Sequence, residues 1–409
     1  MPAAAASPPA REGGRVSYRG LVLPPAAVTF VEKGGRDLSL ALAGLTESME
    51  AGRPLRLVGP SGQSLGLALA DPENERLRVM ARADEAVDAL GPAFFAARVE
   101  RALALRRTLG LVGERSAFRL VHGAGDGLPG FAMDVLAPWA VLYVYSRAFV
   151  PHGQLLAQAA VDQAGLRGVV VKVRSRGAAS QQRVRQEAVG EAPPETQVVE
   201  ERGVPFEVHP DRGLNTGLFT DMREHRHGLA RFVAGQAVLN GFAYTGTLSV
   251  VAARAGARAV TTVDLSSGVL GWARDNFRLS GLDPGAAHFR FEANDVGRFL
   301  DDEARAGRRF DVILLDPPAF SAARGATFAI DRDYPDLIAQ ACRILTDGGL
   351  LWLACNARTS PLQALAEDGF RRARRAATLL ETGSLPPDHP TVPAQPEDRY
   401  LQVGLFRLE

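Results

Sequence analysis

Three acidic side chains in the second half of this chain stand where an apolar run ends, the place from which a strand hands a carboxylate to a ligand. Asp264 closes the run Ala259–Val263, Asp295 follows Asn294 at the end of FRFEAND (289–295), and Asp316 follows the apolar run Phe310–Leu315. An acid ending the second strand of a βαβ unit accepts hydrogen bonds from both hydroxyls of a ribose. An acid after the third strand, here Asn294-Asp295, can meet the amine of an adenine. Asp316 opens Asp316-Pro317-Pro318-Ala319-Phe320. Each proline fixes its own φ and Pro318 also restricts Pro317, so the loop is stiff. It can hold Asp316 and backbone carbonyls as acceptors, with Phe320 as a stacking surface for a flat, nitrogen-containing base. The plainer alternative is a proline-stiffened turn that only ends a strand.

The elements that must position these acids are legible around them. Ala237–Gly241 is an apolar run of strand length, Tyr244-Thr245-Gly246 is a turn, and Leu248–Ala255 is small and apolar, suited to a helix against a sheet. With Ala259–Val263 these make a first βαβ unit. A dinucleotide site wants G-x-G-x-x-G to bring helix N–H groups to a pyrophosphate. This loop has Gly241 and Gly246 with Phe242, Ala243 and Tyr244 between them, and is poorly built for phosphates. It suits an adenosine carrying a short amino-acid tail, which points to S-adenosylmethionine.

The rest of the chain sets bounds. A length of 409 residues suggests two or three domains. Its 46% hydrophobic and 23% charged residues are those of a globular protein, and no apolar run approaches the ~18–20 residues that span a bilayer. The start, MPAAAASPPAREGG, reads as a disordered tail over residues 1–14 and not as a signal peptide. Cys342 and Cys355 cannot make a disulfide framework or a zinc site alone. A cytoplasmic protein is expected. The net charge of +1 argues neither for nor against nucleic acid, and the basic run RRARRA (371–376) reads as a solvated helix face. Short strands around Pro60-Ser61-Gly62 and Asp71-Pro72 suggest a small β-barrel over residues 15–90. A helix over 92–113 opens a central α+β domain, 91–198, and alternating strands and helices fill a doubly wound α/β domain, 199–409.

Five segments in this order resemble the bacterial ribosomal RNA large-subunit methyltransferase I family: FRLVHGAGDGLPGFAMDV, NTGLFTDMREHR, VLNGFAYTGTLSV with VTTVDLS, FDVILLDPPAFS, and DHPTVPAQPEDRYLQ. The resemblance covers residues 100–409 well and 15–90 weakly. It implies an N-terminal PUA module, a central α+β domain and a Rossmann-like class I methyltransferase domain that uses S-adenosylmethionine. Carried over by position, Thr216, Asp221 and Arg223 pack over the methionine tail, and Phe242, Tyr244 and Gly246 form the glycine loop. Asp264 binds the ribose, Asn294-Asp295 flank the adenine, and Asp316 lies beside the methyl group; Asn240 and Leu265 complete the cofactor set. Ribosomal RNA is the implied partner, a homodimer is an assembly open to the chain, and no membrane is expected.

The departure lies after Gly348-Gly349. Cytosine-C5 members of the family carry a cysteine on the next strand, because a thiolate must add to C6 before C5 becomes nucleophilic. Here the strand reads LLWLACNARTS, and the position expected for the nucleophile falls on Asn356, one residue after Cys355. In an extended strand a one-residue offset turns a side chain to the opposite face. A ring nitrogen, as in guanine-N7 relatives, needs orientation but no adduct. The candidate catalytic set is thus Asp316, Asn356, Phe320 and Cys355, with cytosine C5 and a ring nitrogen both open. Cys342 reads as core, His225 and His227 as surface or structural, His122 as stabilising its loop, and His389 as either lining the substrate side or a structural turn. Rival readings are methylation of a small molecule or protein, and an RNA-binding protein without catalysis. If Asp264 holds the ribose, Asp264→Ala should weaken S-adenosylmethionine binding about tenfold or more in a folded protein. Calorimetry showing unchanged affinity would remove the assignment.

Overall fold

The computed structural model describes residues 11–12, 15–16, 18–45, 49–174, 188–213, 215–323, 326–356 and 361–409. Most of the expected tail, 1–14, lies outside them; within it, β1 (Arg11–Glu12) pairs with β2 (Arg15–Val16). The chain folds into two compact units. One comprises Met1–Glu195, Pro210–Leu214 and Pro387–Asp398; the other comprises Thr196–His209, Asn215–Pro386 and Arg399–Glu409.

The first unit holds two five-stranded sheets. β3 (Arg19–Val22), α1 (Pro25–Glu32), β4 (Asp37–Ser39), β5 (Pro54–Val58), β6 (Ser64–Asp71) and β7 (Arg76–Arg82) give a sheet of order β3-β5-β6-β7-β4. β5 alternates buried and half-buried residues, and its leucines pack under Ala27, Val28 and Val31 of α1. α2 (Pro92–Thr108) starts on a proline, whose missing N–H costs a first helical turn nothing. β8 (Ala117–His122), β9 (Phe131–Leu136), β10 (Trp139–Val144), α3 (Val150–Ala164), β11 (Gly168–Val173) and β12 (Val189–Gly190) build the second sheet, with β10 and β11 parallel.

A border at 90/91 is expected from the sequence, yet Leu67, Leu69 and Met80 of the first sheet share one apolar cluster with Phe95 and Val99 of α2 and Phe118, Phe131 and Leu142 of the second. The loop Pro387–Asp398 belongs to this unit too. Its Gln395 side chain accepts from the Arg36 and Asp37 N–H groups. Asp388 accepts from the Arg119 N–H, and His389 is buried with its ring 4.9 Å from that of His122. Arg106 is fully buried, donates to both oxygens of Asp126 at 2.6 and 2.8 Å, and also reaches the Arg119 and Asp388 carbonyls.

The second unit opens with a hairpin, β13 (Gln197–Glu201) and β14 (Val204–Val208), whose two-residue turn places Arg202 and Gly203 at positive φ. α4 (Arg223–Gly228) and α5 (Ala230–Val233) follow. The alternating run is β15 (Ala237–Gly241), α6 (Thr247–Arg254), β16 (Ala259–Asp264), α7 (Ser267–Leu279), β17 (Phe289–Ala293), α8 (Val296–Arg305) and β18 (Phe310–Leu315). A hairpin of β19 (Phe320–Ala323) and β20 (Ala326–Ala329) leads to α9 (Ile330–Ile344), β21 (Leu345–Cys355), α10 (Leu362–Ala373), β22 (Ala377–Gly383) and β23 (Gln402–Leu408). The sheet order is β17-β16-β15-β18-β21-β23-β22, parallel through β21, with β23 antiparallel to both neighbours. The strand order reverses between β15 and β18, which opens a crevice at their carboxyl ends where α/β sheets bind ligands. The arginines of the 371–376 run face solvent and carboxylates: Arg371 meets Asp368, Arg372 meets Asp336, and Arg375 meets Asp347.

Arg106→Met would leave the Asp126 carboxylate buried without its counter-ion. Urea denaturation should show a loss of about 3–5 kcal/mol; a loss under about 1 kcal/mol would mean that the pair contributes little to this unit.

Candidate active site

The crevice is lined by the loop from Gly241 to Gly246. Phe242 and Tyr244 hold φ of 59° and 50°, left-handed values that side-chain-bearing residues avoid. Gly246 (φ 70°) also leaves no room for a Cβ, which would stand 2.8 Å from Ala273 Cβ. The strained turn aims backbone donors at Asp264: the Tyr244 N–H donates to Oδ2 at 2.9 Å and the Ser266 N–H to Oδ1 at 3.0 Å. Each carboxylate oxygen keeps further lone-pair capacity.

Asn240, the penultimate residue of β15, is almost wholly buried, at 1% exposure. Its Nδ2 donates to Ser249 Oγ at 2.9 Å, and Thr262 Oγ1 donates to that same oxygen at 2.9 Å. This fixes the amide, and its Oδ1 is left buried without a protein partner. A buried acceptor left unmatched is costly. An acceptor in that state at a crevice mouth fits a ligand ammonium, and Asp264 fits a ribose. These residues therefore suit the S-adenosylmethionine that the sequence implies. Leu265 is 38% exposed just beyond Asp264, and the Asn294 N–H donates to the Asp264 carbonyl at 3.1 Å. Asp295 has a structural task as well, because its side chain caps α8 by accepting from the Arg298 N–H at 3.0 Å.

The segment 215–223 lies along the same loop. Gly217 (φ 105°) leaves so little space that a Cβ would stand 2.2 Å from the Trp272 ring, and its carbonyl accepts from Thr245 Oγ1 at 2.6 Å. Thr216 is buried, with its carbonyl accepting from the His209 N–H at 2.8 Å. The Trp272 indole stacks on His209 at 4.0 Å and donates to the Glu207 carbonyl at 3.2 Å. Phe219 is 43% exposed, its ring 5.4 Å from that of Tyr244. Burial pushes the Tyr244 phenol up to about 12. Asp221 accepts from the Tyr400 hydroxyl at 2.7 Å, and Arg223 is buried with Nε 3.2 Å from Glu224.

Two features here had no local signal in the sequence. Arg226 is buried at 1% exposure and donates to both oxygens of Glu201 at 2.9 and 3.0 Å. It also reaches Thr247 Oγ1 at 3.2 Å and the Phe219 carbonyl at 2.9 Å. Its partner lies 25 positions earlier, on the hairpin. The second feature is Tyr334, fully buried, whose hydroxyl lies 2.9 Å from the Leu315 carbonyl and 3.0 Å from the Ala354 carbonyl. It spans the ends of β18 and β21.

Burial holds the Tyr334 phenol at those strand ends well above its ordinary value, and the Asp316 carboxyl and Cys355 both add to the rise. Leu315, Leu353 and Cys355 share one apolar cluster with Tyr334, Leu362 and Phe406, and Cys355 is 0% exposed. Leu314 pairs with Trp352, which lies with His225 and Leu229 on the α4 side. Asp316 follows the last residue of β18, and Asn356 is exposed. Desolvation pushes the Asp316 carboxyl up to about 7; the Asp221 carboxylate adds to this and Arg226 opposes it. Cys342 is core, as its helical spacing suggests. The Phe320 side chain lies outside what the structure describes.

A parallel, doubly wound sheet carrying an antiparallel β23, with this loop and these acids at its switch point, defines a class I S-adenosylmethionine-dependent methyltransferase. The family model for S-adenosylmethionine-dependent methyltransferases matches residues 119–407. A Shewanella denitrificans protein named ribosomal RNA large subunit methyltransferase I is 33% identical over 369 residues, covering 88% of this chain and 91% of that one. An Erwinia tasmaniensis protein of the same name is 31% identical over 380 residues, covering 90% and 93%. A methyltransferase crystallised with SAH has the same fold, with a TM-score of 0.84 at 24% identity over 95% of this chain and 100% of that one. The chain belongs to the ribosomal RNA large-subunit methyltransferase I family.

The position of Asp316 predicts a pH effect. The folded chain keeps this proton up to about pH 7, while the ordinary carboxyl releases it near 3.8. The folded state then binds more protons than the unfolded one across that window, so this group makes stability fall as pH rises from about 4 to about 7. Asp316→Asn should remove that decline. The midpoint gap between variant and wild type should widen in favour of the variant up to about pH 7 and then level off. A gap independent of pH would contradict the raised value.

Proposed function

We propose that this protein methylates a ring nitrogen of a base in large-subunit ribosomal RNA, in the cytoplasm, with its N-terminal sheet serving as a PUA-like RNA-binding module. The observation that carries the ring-nitrogen reading is the complete burial of Cys355 in the apolar cluster, followed by the exposed Asn356. A cytosine-C5 enzyme needs an accessible thiolate to activate its base. A ring nitrogen already carries the lone pair that attacks and needs only to be held in line.

When bound, S-adenosylmethionine supplies an electrophilic methyl group. Asp264, held by its two backbone donors, accepts the ribose hydroxyls. The unmatched Oδ1 of Asn240 accepts from the methionine ammonium, with Thr216, Asp221 and Arg223 along that tail. Leu265, Asn294 and Asp295 border the adenine, the last while capping α8. Asp316 and Asn356 orient the acceptor base by hydrogen bonds. Methylation of RNA is favoured over a small-molecule substrate by the names of the relatives, which cover nearly the whole chain.

Mass spectrometry of large-subunit ribosomal RNA incubated with the enzyme should reveal a methylated ring nitrogen. Asp316→Ala and Asn356→Ala should each reduce turnover about 100-fold, because a misplacement of about 1 Å costs that much. Cys355→Ser should reduce it far less, and RNA carrying 5-fluorocytosine should form no covalent adduct. An adduct that disappears in Cys355→Ser would establish cytosine-C5 methylation instead.

A further inference from the structure

The first unit contains a cavity of about 510 Å³ between the turn after β7 and the opening turns of α2. Its floor comes from the helix. Ala93, Ala97 and Arg101 recur every fourth residue and form one stripe. All three are exposed. The two alanines leave a smooth apolar surface, and Phe94, buried to 6% exposure, widens it. The opposite wall carries Asp88, which is exposed.

The polar groups of this cavity are unevenly matched. Glu85 is engaged by three arginines: Arg36 at 2.8 Å, Arg98 at 2.9 Å and Arg101 at 3.7 Å. Burial would raise its carboxyl, but the hydrogen bonds from Arg98 and the Arg82 N–H, with the charge of Arg36, hold it at about 2. It is therefore an ionised strut and has little left to offer a ligand. Arg98 is 6% exposed, lies 4.9 Å over the Phe94 ring, and spends its two terminal nitrogens on Glu85 and the Met80 carbonyl. Its Nε is buried with no protein partner. Arg101 is 57% exposed at its side chain; one terminal nitrogen donates to the Asp126 carbonyl at 3.4 Å and the rest of the guanidinium faces solvent.

We propose that this cavity holds an unpaired base of the RNA, one other than the base that is methylated. This rests on the RNA substrate proposed above. A nucleobase is flat, has apolar faces and carries both donors and acceptors at its edge. The exposed Ala93 and Ala97 offer a face, the Asp88 carboxylate an acceptor, and the Arg101 guanidinium the donors. A phosphate fits poorly, because Asp88 and Glu85 put two carboxylates in the wall. Structured RNA is commonly read through such splayed bases stacked on side chains.

The test uses the full-length protein, protein-free large-subunit ribosomal RNA transcribed in vitro, and the variants Ala97→Trp and Arg101→Glu. Ala97→Trp fills the cavity from an exposed helix position; Arg101→Glu, also exposed, covers the case in which the tryptophan disturbs folding. Each should weaken RNA binding about tenfold, the range of one lost stacking platform, with S-adenosylmethionine affinity unchanged in calorimetry. RNA carrying 4-thiouridine should crosslink to a peptide containing residues 88–101 in the wild type and not in Ala97→Trp. Wild-type-like RNA affinity in both folded variants, with crosslinks only elsewhere, would overturn the cavity assignment and leave the RNA substrate standing. A wild-type chain that binds no RNA would overturn both.

Discussion

The ion pair of Arg226 and Glu201 is the constraint on which the candidate site depends. Taking two charges out of water costs several kcal/mol each, and the cost is offset only where geometry is good and further hydrogen bonds satisfy both groups. Here both conditions hold. The guanidinium meets the carboxylate twice and also donates to Thr247 at the head of α6 and to the Phe219 carbonyl. One side chain thereby ties the β13–β14 hairpin, the segment that carries Thr216 and Asp221, and the helix after the glycine loop. It is also the cation that opposes the rise of the Asp316 carboxyl. The pair therefore sets both the shape of the crevice and part of its electrostatics.

Around that tie the crevice is held in a form that already costs free energy without a ligand. Phe242 and Tyr244 sit in left-handed conformations, and Asn240 keeps a buried acceptor unmatched. The Asp221 carboxylate helps burial to hold the proton on Asp316 in the same region. These are the marks of a site built before its occupant arrives. A cationic ligand with an ammonium and a ribose would relieve several of them together. Packing makes the arrangement affordable. Tyr334 spans two strand ends from below, and Trp272, stacked on His209, fills the space that Gly217 leaves.

The tail motif shows how a resemblance in sequence can conceal a task. DHPTVPAQPED reads, through His389, as either lining the substrate side or a structural turn. In the fold it is a loop of the first unit, where Asp388 caps the Arg119 N–H, His389 is buried against His122, and Gln395 accepts from two backbone N–H groups. Residues near the end of the chain thus complete a unit formed mainly by its first half. The two five-stranded sheets of that unit share one apolar cluster, so no border at 90/91 separates them.

What the sequence determined by itself was local. Apolar runs of strand length, the turn glycine at 246, and acids at strand ends are encoded within a few residues of one another. The doubly wound domain, and the strand ends at which Asp264 and Asp316 stand, were therefore legible from spacing alone. So was the offset between Cys355 and Asn356, since alternation along a strand needs only the strand. What the tertiary structure decided were matters of distance and burial. Arg226 finds Glu201 on another element, Asn240 is left with an unmatched oxygen, and Asp295 is drawn into capping α8. The reason is physical. Local propensity and periodicity act between neighbours in the chain, whereas desolvation and the matching of buried polar groups depend on every element packed around a side chain.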